Sequence, residues 1–347
     1  MKYTLTTLTA LALTTTSAYA GGLDRSGQSV AALFEAGGYA ELSYGSVMPT
    51  VSGVFAGVAS SGQVAPTYSV AGLAFKTDLN PKFSVAVIMD QPFGAAVEYT
   101  TAGYPLDGSS AHVDTVGITA LGRFKINDAF SVHAGVRHVT ASGDYTVNAA
   151  LAPPAGYSST YSSGSDIGYV VGAAFEKPEI ALRVALTYSS ATTFALDGTV
   201  GDLNAEMPQS VNLEAQSGIA ANTLLFGSIR WADWTEASIV DTLAGPLIDY
   251  DKDVFTYTLG VGRKFSDSFS GSISLGHEAS QGGLASNLSP TDGQTSVGIG
   301  AKYTSGSMEI SAGVRYVWLG DATTETIGSA FSDNSAIGAG VKVAFRF

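Results

Sequence analysis

The chain contains no cysteine in 347 residues. No disulfide framework can staple it, so its stability must come from hydrogen bonding and burial. Charge is also scarce: 14% of residues are Asp, Glu, Lys or Arg, against a usual share of roughly 25%. A soluble protein this poor in charge would struggle to cover its surface. Yet no run of about 18 apolar residues occurs beyond the N-terminus, which excludes helical membrane spans. Basic residues are the scarcer sign, 17 against 30 acidic, and that balance argues against nucleic acid as a partner.

Residues 1–20 supply the sole concentrated apolar stretch. Lys2 forms a positive start, Leu5 to Leu13 a short apolar core, and Ala18-Tyr19-Ala20 a small-x-small cleavage site. These are the parts of an export signal, which is excluded from the fold. Its removal leaves 16 basic and 30 acidic residues, a net charge of −14.

What remains is rich in Gly (41), Tyr (16) and Phe (16) and alternates along its length. In 335–347 the residues Ile337, Ala339, Val341, Val343, Phe345 and Phe347 share one parity; Gly338, Gly340, Lys342, Ala344 and Arg346 share the other. Successive strand side chains point to opposite faces, so one face is apolar and the other small or cationic. An ending on Phe347 is also what outer-membrane barrels present to their assembly machinery. Alternation and turn residues predict strands at 39–51, 66–79, 83–99, 112–126, 130–145, 165–175, 180–190, 207–220, 223–234, 254–265, 269–278, 294–304, 308–319 and 335–347. Their connections alternate without exception between tight turns and long loops. That is the pattern of an all-β, transmembrane, antiparallel up-and-down barrel of about fourteen strands, with short turns at one rim and long loops at the other.

Two aromatic belts fit this frame. Phe75, Phe83, Phe124, Phe130, Phe175, Phe265, Phe269, Tyr303 and Phe345 lie beside the short-turn rim, and Trp231, Trp234, Tyr316 and Trp318 toward the loops. The loops hold many acids, which suit a solvated face or divalent-bridged contact with lipopolysaccharide and outer-membrane lipid. Parity turns His133, Arg137, Lys302, Glu309, Arg315, Lys342 and Arg346 inward, because a lipid-facing Arg or Lys at mid-depth costs about 2–4 kcal/mol. Arg230 shares parity with Leu224 and Phe226, so its direction is open. The inward cations can serve an anionic cargo or pair with Glu98, Glu278 and Glu309 to plug the lumen.

Two stretches break the pattern. In 21–38, Val30, Leu33 and Phe34 give a short helix one apolar edge, with Ser26 or Ser29 as cap and Gly37-Gly38 as stop. Such an edge is too small to fold alone and needs a wall to lie against. In 83–99 the run Met89-Asp90-Gln91-Pro92-Phe93-Gly94 puts a proline, which cannot donate to a ladder, inside a strand. Either the strand kinks inward and opens a side window, or it ends at Asp90 with Pro92 in the outer loop.

Met-Pro-Gln-Ser-Val-Asn-Leu before a tight turn, with Trp-Ala-Asp-Trp closing the next strand (207–234), resembles the FadL/TodX family of outer-membrane transporters for long-chain fatty acids and other hydrophobic compounds. The Gly94 region, Tyr316-x-Trp318 and the terminal Phe347 add to the likeness, which extends diffusely over most of the chain after residue 20. It implies a fourteen-stranded barrel, an N-terminal hatch (21–38) folded into the lumen of the 39–347 barrel, a kink in the third strand at Asp90, Pro92, Phe93 and Gly94, and lateral diffusion of the ligand into the outer membrane. The family's hatch is longer and carries Asn-Pro-Ala; here the chain reads Leu33-Phe34-Glu35 and then Tyr39-Ala40-Glu41.

The expected function is passive uptake by a monomer. An amphipathic acid binds among Leu243, Pro246, Leu247 and Ile248, then moves to a pocket near Val30, Leu33 and Phe34. Its carboxylate sits near Arg137, Lys302 or Arg315. A general diffusion porin is the alternative. An enzyme is not expected, since His112, His133, His138 and His277 lack a nucleophile context. No metal spacing or phosphate loop occurs, so no cofactor is expected.

Overall fold

Fourteen long antiparallel strands close on themselves. The computed structural model describes residues 23–149 and 155–347; the export segment read at 1–20 lies outside them. The barrel strands are β1 (Tyr39–Thr50), β2 (Tyr68–Asn80), β3 in two pieces (Phe83–Asp90 and Gly94–Glu98), β4 (Ser110–Lys125), β5 (Phe130–Val147), β6 (Tyr157–Lys177) and β7 (Leu182–Ser189). The rest are β8 (Ser210–Ala220), β9 (Thr223–Ala232), β10 (Val254–Lys264), β11 (Phe269–Glu278), β12 (Gln294–Ser305), β13 (Met308–Leu319) and β14 (Ser335–Arg346). Each pairs with its chain neighbours, and β1 closes the ring on β14 from Tyr39↔Arg346 to Thr50↔Ser335. Closure removes every sheet edge, which is what lets strands cross a hydrocarbon layer. Among the described residues no helix is long and apolar enough to cross a membrane.

Parity sets the two faces. Leu42, Leu73, Phe75, Val136, Ile167, Leu259, Ile273, Ile299, Val314, Val341 and Phe345 are exposed on the outside, while Lys76, Arg123, His133, Arg137 and Lys302 are buried within. Arg230, left open by its parity, also points inward, because Leu224 and Phe226 are inward apolar residues themselves. The tight turns use residues that accept a left-handed backbone: Asn222 (φ 58°) and Gly306 (φ 60°) each sit in a two-residue link.

The inward charges pair with neighbours along the inner wall. Lys342 meets Glu41 at 3.1 Å, Lys302 meets Glu309 at 3.5 Å, and Arg346 holds Glu309 at 3.3 Å and Glu35 at 2.7 Å. Of the carboxylates expected to join them, Glu309 alone does so among the described residues. Glu98 shares the outer parity of β3 and lies 3.2 Å from His112; Glu278 accepts a hydrogen bond from the Thr256 hydroxyl at 2.8 Å.

The structure adds what alternation could not show. The loops fold into two small sheets: Thr192–Leu196, Leu203–Met207, Ser238–Asp241 and Gly245–Asp249 form one, and five shorter strands the other. The strand expected at 165–175 begins at Tyr157. The outer face of 157–164 is polar (Ser158, Thr160 and Ser162), because this part of β6 stands beyond the apolar band, while inward Tyr161 is buried in the core under the loops.

Candidate functional site

Residues 23–38 lie inside the ring. Their helix is a single tight turn, Ala31–Phe34, shorter than the apolar edge suggested. Gly27 (φ 65°) and Gln28 (φ 54°) turn the chain ahead of it, and the Ser29 hydroxyl accepts the Ala31 N–H at 3.2 Å. Val30, Leu33 and Phe34 bury against Ala74, Ala86, Ile88, Leu121, Val170, Ala174 and Ala185 of the wall. Small wall residues make room for the segment's large ones. The Phe34 ring meets His133 edge-on at 5.6 Å, with the Arg123 and Arg183 guanidinium carbons 4.6 and 5.0 Å from its centre.

Polar contacts fix the same segment from the other side. Asp24 forms an ion pair with Arg230 of β9. Arg230 also donates to Asn212 at 3.0 Å and to Gln28 at 3.4 Å. Asn212 in turn donates to the Gly27 carbonyl at 2.7 Å, and Ser210 donates to Gln28 at 3.0 Å. The Met-Pro-Gln-Ser-Val-Asn-Leu stretch noted in the sequence thus supplies a docking ledge for residues 24–28.

The opposite anchor is β3. Its ladder to β4 runs to Asp90↔Gly117 and resumes at Gly94↔Asp114, so four steps on β3 oppose three on β4. One residue too many is a bulge, and Pro92 stands in it without an N–H to lose. Thr115 fills the gap: its hydroxyl donates to the Phe93 carbonyl at 2.7 Å and accepts the Phe93 N–H at 2.9 Å. On the other side, the ladder from β2 ends at Leu73↔Met89. Beyond it the Gln91 side chain accepts the Ala71 N–H at 2.9 Å. Residues 23–25 take up the freed backbone. Arg25 N–H donates to the Pro92 carbonyl and Gly94 N–H to the Leu23 carbonyl, each at 2.8 Å. Ser26 adds a 2.6 Å bond to Asp90.

Between the segment and the far wall lies a cavity of about 220 Å³. Ser26, Ser29, Ala32 and Glu35 form its near side; Ser228, Thr258, Ser274, Arg183, Arg315 and Lys342 line the barrel side. Of the three cations assigned to the ligand's carboxylate from sequence, Arg315 reaches this cavity. Lys302 instead pairs with Glu309. Arg137 is buried against Thr119, to which its Nε donates at 2.7 Å, and its Nη1 has no hydrogen-bond partner among the described residues. Val30, Leu33 and Phe34 face the wall rather than the cavity. Arg183 was missed in the sequence, though its alternation with Val184 and Leu186 carried the signal.

Above the segment the lumen is greasy. Phe93, buried, meets Trp234 edge-on at 6.0 Å within a core that includes Leu23, Val113, Val139, Phe194, Met207 and Ile239. Ile248, expected on a landing surface, is buried in this core, whereas Leu243 is exposed. The roof is tied by Asp241. Its carboxylate accepts the hydroxyls of Tyr157 (2.6 Å) and Tyr161 (2.5 Å) and the N–H groups of Leu243 (2.8 Å) and Ala244 (2.7 Å). Burial works against the charge, but these four donors outweigh it and hold the carboxyl below its ordinary range. A depressed folded value contributes stability above the unfolded pKa and loses it as pH falls through the folded value. Roof protection against proteolysis is therefore expected to decline below about pH 4. Asp241→Ala should remove about 3 kcal/mol of it at neutral pH. An unchanged cleavage rate in the variant would count against this role.

Comparison with known proteins follows the same outline. The family described as outer membrane protein transport protein (OMPP1/FadL/TodX) matches residues 30–236. Among solved structures, a Pseudomonas aeruginosa FadL homologue superposes with a TM-score of 0.74 at 15% identity, covering 91% of this chain and 92% of its own. The P. putida toluene transporter TodX gives 0.69 at 13%, covering 90% and 91%. The Ralstonia pickettii toluene transporter TbuX gives 0.64 at 14%, covering 91% of each chain. No curated protein matches at the sequence level.

Proposed function

We propose that this chain, which belongs to the outer membrane protein transport family (OMPP1/FadL/TodX), takes up a long-chain fatty acid or similar hydrophobic compound, binds it in the lumen and releases it sideways. As a family member it is an outer-membrane β-barrel that moves hydrophobic compounds. The observation that carries the finer reading is the break in β3. Its freed backbone is held by residues 23–25, a segment whose other anchor is Arg230 across the lumen. A segment strung between a wall break and the opposite wall suits a hatch, and 21–38 is proposed as that hatch on the 39–347 barrel.

The path begins in the greasy core under the loops, where each buried CH₂ of a tail gains about 0.8 kcal/mol. Arg137 lies two ladder steps from the break, through Thr119 and Ile88. Its Nη1 is a donor for a carboxylate, and Arg315 offers a second in the cavity below. The toluene transporters among the structural neighbours keep a neutral aromatic cargo as the rival substrate.

The test exploits the lack of native cysteine. Ser26→Cys with Asp90→Cys would lock the segment to the break when oxidised. Uptake of labelled oleate by cells lacking their own transporter should fall at least tenfold on oxidation and recover on reduction. Uptake unaffected by a formed disulfide would refute lateral release. A large steady current in planar bilayers would mark a general diffusion porin instead.

A further inference from the structure

Arg25 belongs to the lumen segment, yet its charge is delivered to the outside of the barrel. The guanidinium Nη1 lies 2.6 Å from the Asp114 carboxylate. Asp114 shares parity with the exposed Val116 and Ile118, so it stands on the outer face of β4. The ion pair therefore crosses the wall where the β2–β3 ladder is missing. Three features shape the passage. Gly94 is opposite Asp114, and a Cβ there would lie 2.3 Å from the Arg25 guanidinium carbon. The Tyr68 ring covers the guanidinium at 4.6 Å. The two partners differ sharply in solvation: the Arg25 side chain is 3% exposed and the Asp114 side chain 58%.

We propose that this inside-to-outside pair sorts cargo at the wall break, resting on the lateral-release reading above. An anionic head arriving from the lumen can replace Asp114 on the guanidinium. Asp114, whose side chain is already 58% exposed, then leaves the pair, and the buried cation keeps an anionic partner throughout the exchange. Uncharged cargo has no group to offer. It must part the two and give the buried guanidinium no carboxylate in return, which is the unfavourable way to break such a pair. Arg25 thus selects for carboxylate or other anionic amphiphiles over plain hydrocarbons of the same length. Gly94 is the residue whose missing side chain gives the guanidinium its place.

Oleate and 1-octadecene share a chain length and differ in the head, so their uptake ratio at pH 8 reads the selection directly. The full chain is expressed in cells lacking their own transporter, and heat-shifted gel mobility confirms folded barrels. Arg25→Gln should lower the oleate-to-octadecene ratio at least tenfold, chiefly by loss of oleate uptake. Asp114→Asn should raise octadecene uptake severalfold, because no ion pair is left to part. A ratio within twofold of wild type in both folded variants overturns the proposal and leaves the transporter reading standing. A wild-type chain that takes up neither compound overturns both.

Discussion

Arg230→Leu is expected to raise amide hydrogen exchange across residues 23–34 by about 10²–10³-fold while the barrel strands keep their protection. The substitution takes from Asp24 its cation and from Gln28 and Asn212 a shared donor. Removing one partner of a buried pair costs about 3–5 kcal/mol, because the other charge is left without compensation. Each 1.4 kcal/mol is a factor of ten in the opening equilibrium. Leucine also fills less of the site than the guanidinium does, so the segment loses packing as well. The barrel should survive, since its ladders do not run through this side chain. Exchange at residues 23–34 that matches wild type would mean the segment is held by its apolar edge alone.

Gly135→Val is expected to prevent the ring from closing, read as loss of the folded, heat-modifiable species on gels. Gly135 pairs with Leu121 on one side and Val170 on the other, in the wall against which Val30, Leu33 and Phe34 pack. A Cβ there would fall 1.9 Å from the Ala120 carbonyl oxygen and 2.8 Å from its carbon. These are backbone atoms of the neighbouring strand, so no rotamer change relieves the contact. Overpacking a core typically costs about 1–3 kcal/mol and more where the backbone must move. Here the movement would part β4 from β5 at mid-height. A barrel that cannot complete its ladder leaves unpaired polar groups facing lipid, at several kcal/mol each. Normal assembly of Gly135→Val would show that the wall bends more freely than these distances allow.

The two variants mark the limits of what could be read from residues alone. The ring was legible because period-two alternation is local: Val341, Val343 and Phe345 declare one face and Lys342 and Arg346 the other with no knowledge of partners. Turn order was legible for the same reason, since a two-residue link such as Ala221-Asn222 announces itself. The loop sheets were not, because strands of two to five residues in polar surroundings carry too few positions to show a period. The docking of 23–38 was hidden for a different reason. Asp24 and Arg230 are 206 positions apart, and nothing in either neighbourhood names the other. Pro92 showed that a ladder had to fail nearby. It could not show that the chain's own beginning would mend it, nor that a charge would pass through the tear.

That mend has a mechanical meaning. A cylinder under load parts where its stitching is short, and the β2–β3 seam stops at Leu73↔Met89 while the β1–β14 seam runs the full strand. Residues 23–25 act there as a patch sewn from within. Thickness changes in the surrounding bilayer would therefore load this corner, where three residues from the chain's own start stand in for missing ladder bonds.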